Sequence, residues 1–315
     1  MSIAVLFPGQ GSQYIGMGRE FIDTVDSCRQ LSELADSVCS FPLSSIISEG
    51  PMEKLTRAAV LQPAITVTNL ICLQALQEAL PECTIDCYAG HSLGEYSALC
   101  GAGVLSTEDV IRLVERRGFF TEREGTRNPG SMRAILGLSI DEVEPVVDSY
   151  RGPGVVTVAN YNTAQQIVIS GSVEALDTVS ARLDALGAKV IPLNVSVANH
   201  SPLIADAVPD FSAFIDTVEF KSPRVPVYFN LTARPENDPA VIMDMMANQI
   251  TSRVRWYEII TRMLADGVDT FIEVGPKTVL KGMMRKIVDK GTQVTSLQFD
   301  TPATLDAVVQ HLTAD

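Results

Sequence analysis

The run Thr84-Ile85-Asp86-Cys87-Tyr88-Ala89, then Gly90-His91-Ser92-Leu93-Gly94, then Glu95-Tyr96-Ser97-Ala98-Leu99, decides how this chain is read. The first part reads as a strand, the last as a good helix former, and the G-x-S-x-G between them as a sharp turn joining the two. The two glycines let the backbone turn tightly, which lifts Ser92 into a cleft. The N–H of Leu93, at the start of the helix, then points towards the oxygen of a bound acyl group.

A serine placed in this way needs a base, and the chain has three histidines, His91, His200 and His311. His91 is next to the serine, with its side chain expected to point away from the serine oxygen, so it is read as structural. His311 sits in a terminal helix that frays. His200 follows Val195-Ser196-Val197-Ala198-Asn199, where the chain passes from one domain to another. Scarcity and position select His200 as the base.

Upstream, Ile3–Phe7 is a buried strand ended by Pro8-Gly9-Gln10-Gly11-Ser12-Gln13. That turn offers Gln10 as a second backbone N–H for an oxyanion hole. A phosphate loop is not expected, because Tyr14 stands where a third glycine is needed and no Walker lysine follows. Leu61 to Leu80 and Thr107 to Arg123 carry apolar residues at helical spacing, with Pro63 near the start of the first.

The character changes at Asn128-Pro129-Gly130. Residues 128–195 read as strand (Met132–Leu136), helix (Ile140–Tyr150), strand (Val155–Ala159), strand (Gln166–Ser170), helix (Ser172–Leu186) and strand (Lys189–Leu193), a ferredoxin-like order. Helices and strands then alternate again through Asp269-Thr270-Phe271-Ile272-Glu273-Val274-Gly275-Pro276. The expected architecture is α/β. A large α/β-hydrolase-like domain (1–127 and 196–315) is interrupted by a ferredoxin-like α+β subdomain (128–195).

With 315 residues, 46% of them hydrophobic, the chain can bury a large core. A formal charge of −14 argues against a nucleic-acid partner. The six cysteines, Cys28, Cys39, Cys72, Cys83, Cys87 and Cys100, are expected to be reduced and buried in a cytoplasmic protein. Cys83 and Cys87 are spaced wrongly for a zinc or redox pair, so no metal is expected. The N-terminus lacks the basic lead of a signal peptide, and no apolar run reads as long enough to span a bilayer. Within this acidic chain Lys277, Lys281 and Arg285 recur every four residues, along one face if the segment is helical, with Lys286 and Lys290 nearby.

Phe7-Pro8-Gly9-Gln10-Gly11-Ser12-Gln13, Gly90-His91-Ser92-Leu93-Gly94-Glu95-Tyr96-Ser97 and Arg117-Gly118 together resemble the malonyl-CoA:acyl-carrier-protein transacylases of fatty acid synthesis and the related acyltransferases of polyketide synthases. The likeness runs through Asn160-Tyr161-Asn162, His200, Asn248-Gln249 and Glu273-Val274-Gly275-Pro276. It implies that Ser92 is acylated, that His200 is the base, and that the Gln249 backbone carbonyl orients His200. It also implies that Gln10 and Leu93 form the oxyanion hole and that Arg117 grips the malonyl carboxylate. Thr121, Met132, Asn162 and Asn199 fall at pocket positions. The sequence differs from the usual pattern at Thr121, at Asn199 and at Arg133, which follows Met132. Malonyl-CoA and an acyl carrier protein or polyketide carrier domain are the implied partners, with the basic segment as carrier dock, coenzyme A as part of the substrate and no further cofactor. The other readings are a carrier-clearing acyl hydrolase of the same architecture, an α/β-hydrolase esterase based on His311, and a non-catalytic carrier-binding protein.

Overall fold

The computed structural model describes residues 1–195 and 197–314. Among them nine strands occur: β1 (Ile3–Phe7), β2 (Cys87–Gly90), β3 (Ser131–Leu136), β4 (Val156–Thr163), β5 (Gln166–Gly171), β6 (Lys189–Pro192), β7 (Val227–Tyr228), β8 (Thr270–Val274) and β9 (Thr295–Phe299). They form a five-stranded sheet in the order β7-β2-β1-β8-β9 and a four-stranded sheet in the order β4-β5-β3-β6.

The larger sheet is parallel at every pairing. Its central strand β1 is buried at every residue, which is why Ile3–Phe7 reads as an unbroken apolar run. Connections between parallel strands must cross over the sheet, and helices make them. The 22-residue helix Ala58–Ala79 holds Pro63 in its second turn and lies almost wholly in the core. By length and composition alone it could cross a bilayer, contrary to the reading that no run is long enough, but 89% of its most apolar window is buried inside the protein. It packs on the helix Thr107–Arg127, begun by Ser106, whose side chain accepts the Asp109 N–H at 3.1 Å. A side-chain carbon at Gly118 would lie 2.5 Å from the Ala58 carbonyl oxygen, so glycine sets how closely these two helices approach.

The smaller sheet is antiparallel throughout, and its strand order is the ferredoxin-like one. Its helices, Ile140–Asp148 and Val173–Ala185, bury Val143, Val147, Leu176, Val179 and Leu183 against one face. All four strands fall within 128–195; the far boundary, at Ser196, lies outside the described residues. Element ends differ by a few residues from the sequence reading. The strand placed at Val155–Ala159 continues to Thr163, pairing irregularly with β5 up to Thr163 opposite Gln166, and it also gains a partner beyond the small sheet. Val254 N–H donates to the Ala159 carbonyl at 2.8 Å, and the Tyr161 N–H donates to the Val254 carbonyl at 2.8 Å. This bridge stitches the subdomain to the large domain beside the cleft.

Candidate active site

The turn after β2 takes the shape its glycines permit. A Cβ at Gly90 would sit 1.9 Å from the Gly94 carbonyl carbon, and one at Gly94 would sit 2.1 Å from the Phe7 carbonyl oxygen. Ser92 itself has φ 50°, a left-handed conformation that costs energy for a residue with a side chain. Asn230, just beyond β7, holds this turn: its Oδ1 accepts the Ser92 N–H at 2.7 Å and its Nδ2 donates to the Gly90 carbonyl at 2.8 Å.

His200 arrives from the far side of the cleft, also left-handed at φ 57°, with its backbone N–H on the Ile250 carbonyl at 2.9 Å. Its Nε2 lies 2.7 Å from Ser92 Oγ. On the other side of the ring, Nδ1 is 2.8 Å from the Ser252 carbonyl oxygen and 3.1 Å from that of Gln249. Carbonyl oxygens only accept, so Nδ1 carries the proton and Nε2 is left to accept the serine proton. The sequence reading named Gln249 alone; the shorter contact is to Ser252. Among the described residues no carboxylate contacts this pair. Burial holds His200 down at about 3, with Arg117 and then His91 acting in the same direction, so the ring is neutral, with Nε2 free to accept a proton.

Gln10 and Leu93 line the same cleft as Ser92, about 150 Å³ in volume. Among the described residues neither backbone N–H finds a partner. His91 donates or accepts away from the serine, with Nε2 at 2.8 Å from Asn162 Oδ1 and its ring edge-on to Trp256. Met132, Asn162 and Asn199 also line the cleft. Thr121 does not: it is buried behind Arg117, where its hydroxyl accepts from Gln62 Nε2 at 3.1 Å and donates to the Arg117 carbonyl at 2.9 Å. Arg133 is likewise turned out of the cleft, paired with Asp177.

Arg117 is 3% exposed, and its guanidinium spends its hydrogen bonds on neutral oxygens. Nη1 donates to Gln62 Oε1 at 2.8 Å and Nη2 to Gln249 Oε1 at 2.9 Å. Nη2 also reaches to 3.5 Å from Ser92 Oγ, while Nε has no hydrogen-bond partner among the described residues. Burial lowers the proton affinity of this group below the ordinary arginine value. A buried cation with an orphaned N–H beside the Ser92 hydroxyl suits an anionic group.

Sequence reasoning missed the groups that hold these residues. Gln62, Glu95, Asn230 and the side chain of Gln249 form one buried network under the turn. Asn230 had one available signal, its place at the end of a strand in a parallel sheet, where such sheets carry their sites. Lys277 is also displaced from its expected position. It precedes the helix Val279–Ile287, in a left-handed turn at φ 64°, with its N–H on Asp300 Oδ2 at 3.0 Å. Of the three residues at four-residue spacing, Lys281 and Arg285 belong to that helix, with Lys286 beside them in its last turn.

Comparison with known proteins agrees with this geometry. The family described as acyl transferase domain matches residues 5–307. The malonyl CoA-acyl carrier protein transacylase of Bacillus subtilis (strain 168) is 38% identical over 312 residues, covering 98% of this chain and 97% of its own. That of Staphylococcus aureus (strain COL) is 35% identical over 297 residues, covering 94% of this chain and 95% of its own. Among solved structures, the transacylase of Coxiella burnetii superposes with a TM-score of 0.94 at 33% identity, covering 100% of this chain and 98% of that one. A malonyl-transacylase in complex with its type II polyketide synthase acyl-carrier protein superposes with a TM-score of 0.94 at 30% identity, over 99% of this chain and 100% of that one. A serine–histidine pair on a parallel sheet with a ferredoxin-like insert, matched in sequence over nearly its whole length, makes this chain an acyltransferase and a member of the malonyl-CoA:acyl-carrier-protein transacylase family.

Proposed function

We propose that this enzyme moves a malonyl group from coenzyme A to the phosphopantetheine thiol of an acyl carrier protein or carrier domain, through an ester on Ser92. The observation that carries the reading is Arg117. It is a buried cation without a carboxylate partner, within 3.5 Å of the nucleophile oxygen, so the acyl group it suits is one that ends in a carboxylate. In the first half-reaction Ser92 Oγ attacks the thioester carbon as His200 Nε2 takes its proton. The Gln10 and Leu93 amides receive the oxyanion, and the proton passes to the departing coenzyme A sulfur. The carrier thiol then attacks the Ser92 ester by the reverse route, returning the proton to Ser92. Every proton transfer is supplied by His200, so the scheme uses no metal or cofactor beyond the coenzyme A of the substrate, and it suits a cytoplasmic setting.

Intact mass after exposure to malonyl-, methylmalonyl- and acetyl-CoA, with and without carrier protein, tests the scheme. A lasting malonyl adduct that only the carrier discharges is expected. Rapid discharge into water would replace transfer with hydrolysis.

The state of His200 has a kinetic consequence. A base with an ordinary histidine value would lose about eightfold in rate between about pH 7 and pH 5.5. Because His200 stays neutral far below that range, Ser92 acylation at saturating acyl-CoA is expected to remain level across it. A single-turnover pH profile that bends near pH 6.5 would contradict this.

For the carrier, the helix Val279–Ile287 offers Lys281 and Arg285, and its N-terminal half lines the cleft through Val279, Leu280 and Met283. A thiol arm entering there would leave its acidic carrier against these cations and Lys286. Lys277 stands just outside the same helix. The double variant Lys281→Glu, Arg285→Glu is expected to raise KM for the carrier and flatten its salt dependence while self-acylation stays near normal. Unchanged carrier kinetics would remove this surface.

A further inference from the structure

Glu95 is a carboxyl in the first turn of the helix Gly94–Gly101, 1% exposed, and the scheme above gives it no task. Its Oε1 accepts the Asn230 N–H at 2.7 Å and its Oε2 accepts from Gln249 Nε2 at 2.6 Å. The same Gln249 amide accepts Arg117 Nη2 through its oxygen at 2.9 Å. One glutamine therefore links a buried cation to a buried carboxyl. Gln249 Nε2 also donates to the Ser92 carbonyl at 2.7 Å, so this link runs directly beneath the nucleophile.

We propose that Glu95 is the internal counter-charge of Arg117, coupled to it through the Gln249 amide, and that it takes up one proton from solvent when a carboxylate-bearing acyl group pairs with Arg117. The inference rests on Arg117 holding the acyl carboxylate. With the site empty, one buried cation and one buried carboxylate balance. Loading adds a second carboxylate to the same cation, and two like charges in a dry site raise the proton affinity of the weaker-held one. Substrate carboxylate takes the guanidinium directly, whereas Glu95 reaches it only through an amide, so Glu95 is the group that protonates. Burial already holds Glu95 up at about 7, against the opposing pull of its Asn230 and Gln249 hydrogen bonds and of Arg117, so a modest further rise moves it across neutral pH.

The other titratable groups around it are accounted for. Arg117 is the cation that faces it from the helix Thr107–Arg127. Tyr96, beside it on its own helix, is held above the ordinary phenol value by burial. His200 and His91, across the Ser92 turn, are both lowered by burial and stay neutral. Cys87, on the neighbouring strand, is pushed up to about 12 by burial. The helix Ala58–Ala79 contributes only the neutral amides of Gln62 and Asn69.

Thiol release is the same for any acyl-CoA, so the difference between substrates isolates the carboxylate. Stopped-flow acylation in weak buffer with a pH indicator, near pH 7, is expected to show more proton uptake with malonyl-CoA than with acetyl-CoA, by up to about half a proton per site, because Glu95 at about 7 is already partly protonated in the empty site. The malonyl-over-acetyl loading ratio should correspondingly fall by up to about tenfold per pH unit as pH rises through the Glu95 titration. Infrared difference spectra should show a new protonated-carboxyl band on malonyl loading that shifts with ¹³C-labelled glutamate and is missing in Glu95→Gln. Equal uptake for both substrates, or uptake without that band, overturns the proposal, and both measurements on the unaltered enzyme stand even if Glu95→Gln does not fold. If Arg117→Ala loses malonyl and acetyl loading equally, the reading of Arg117 itself fails. If that variant loses malonyl selectively while the wild type shows no differential uptake, only the role of Glu95 falls.

Discussion

Ser92→Ala protein incubated with malonyl-CoA is expected to keep its unmodified mass, and His200→Ala protein to acylate about 10²–10⁴-fold more slowly than wild type. The two variants differ because removing Oγ removes the bond-forming atom, whereas removing the imidazole leaves the oxyanion donors and a serine that must shed its proton unaided. The 2.7 Å contact between Oγ and Nε2 is the basis of the second figure. Neither variant should unfold the protein. The Ser92 backbone is held by Asn230 through its N–H, which alanine keeps, and His200 is held by its N–H on Ile250. A malonyl adduct on Ser92→Ala at the wild-type rate would assign the nucleophile elsewhere.

Arg117→Ala is expected to lose malonyl transfer by far more than acetyl transfer. An acyl carboxylate left unpaired in this closed site forfeits about 2–4 kcal/mol, or about 30-fold to 1000-fold in the malonyl rate. Acetyl has no charge to leave unpaired, so its loss should be confined to the loosening of Gln62 and Gln249, which Arg117 also holds. Parallel rates for both acyl-CoA substrates measure the difference. Equal losses would make Arg117 a scaffold for the two glutamines and nothing more.

Much of this was legible in the sequence where a local pattern carries the information. The strand–turn–helix around Ser92 and the ferredoxin-like order of 128–195 follow from periodicity and glycine placement, and both appear in the fold. His200 stood out because so few histidines compete with it. What escaped depends on distant chain segments meeting. Glu95 looks like an ordinary first-turn glutamate until Asn230 and Gln249 close over it. Thr121 lies one helical turn from Arg117, and that spacing does not reveal that its hydroxyl turns back onto the Arg117 carbonyl. Lys277 kept the four-residue spacing of a helix face, but the helix begins only at Val279, after a left-handed turn.

The order of the larger sheet bears on how the enzyme is made. Strand β1, synthesised before the other strands of its sheet, is flanked by β2 and by β8, which follows it by more than 250 residues. Pairings between segments so distant in sequence form late and slowly, because their ends must be brought together against chain entropy. The turn bearing Ser92 likewise depends on Asn230, and its base depends on carbonyls at Gln249 and Ser252, all synthesised long after it. A nascent chain exposing the G-x-S-x-G segment therefore lacks His200, the Asn230 contacts that hold Ser92 and three of the five strands of the central sheet. The site is therefore complete only once synthesis has passed Ser252, so a chain stalled before that point is expected to lack acyl-transfer activity.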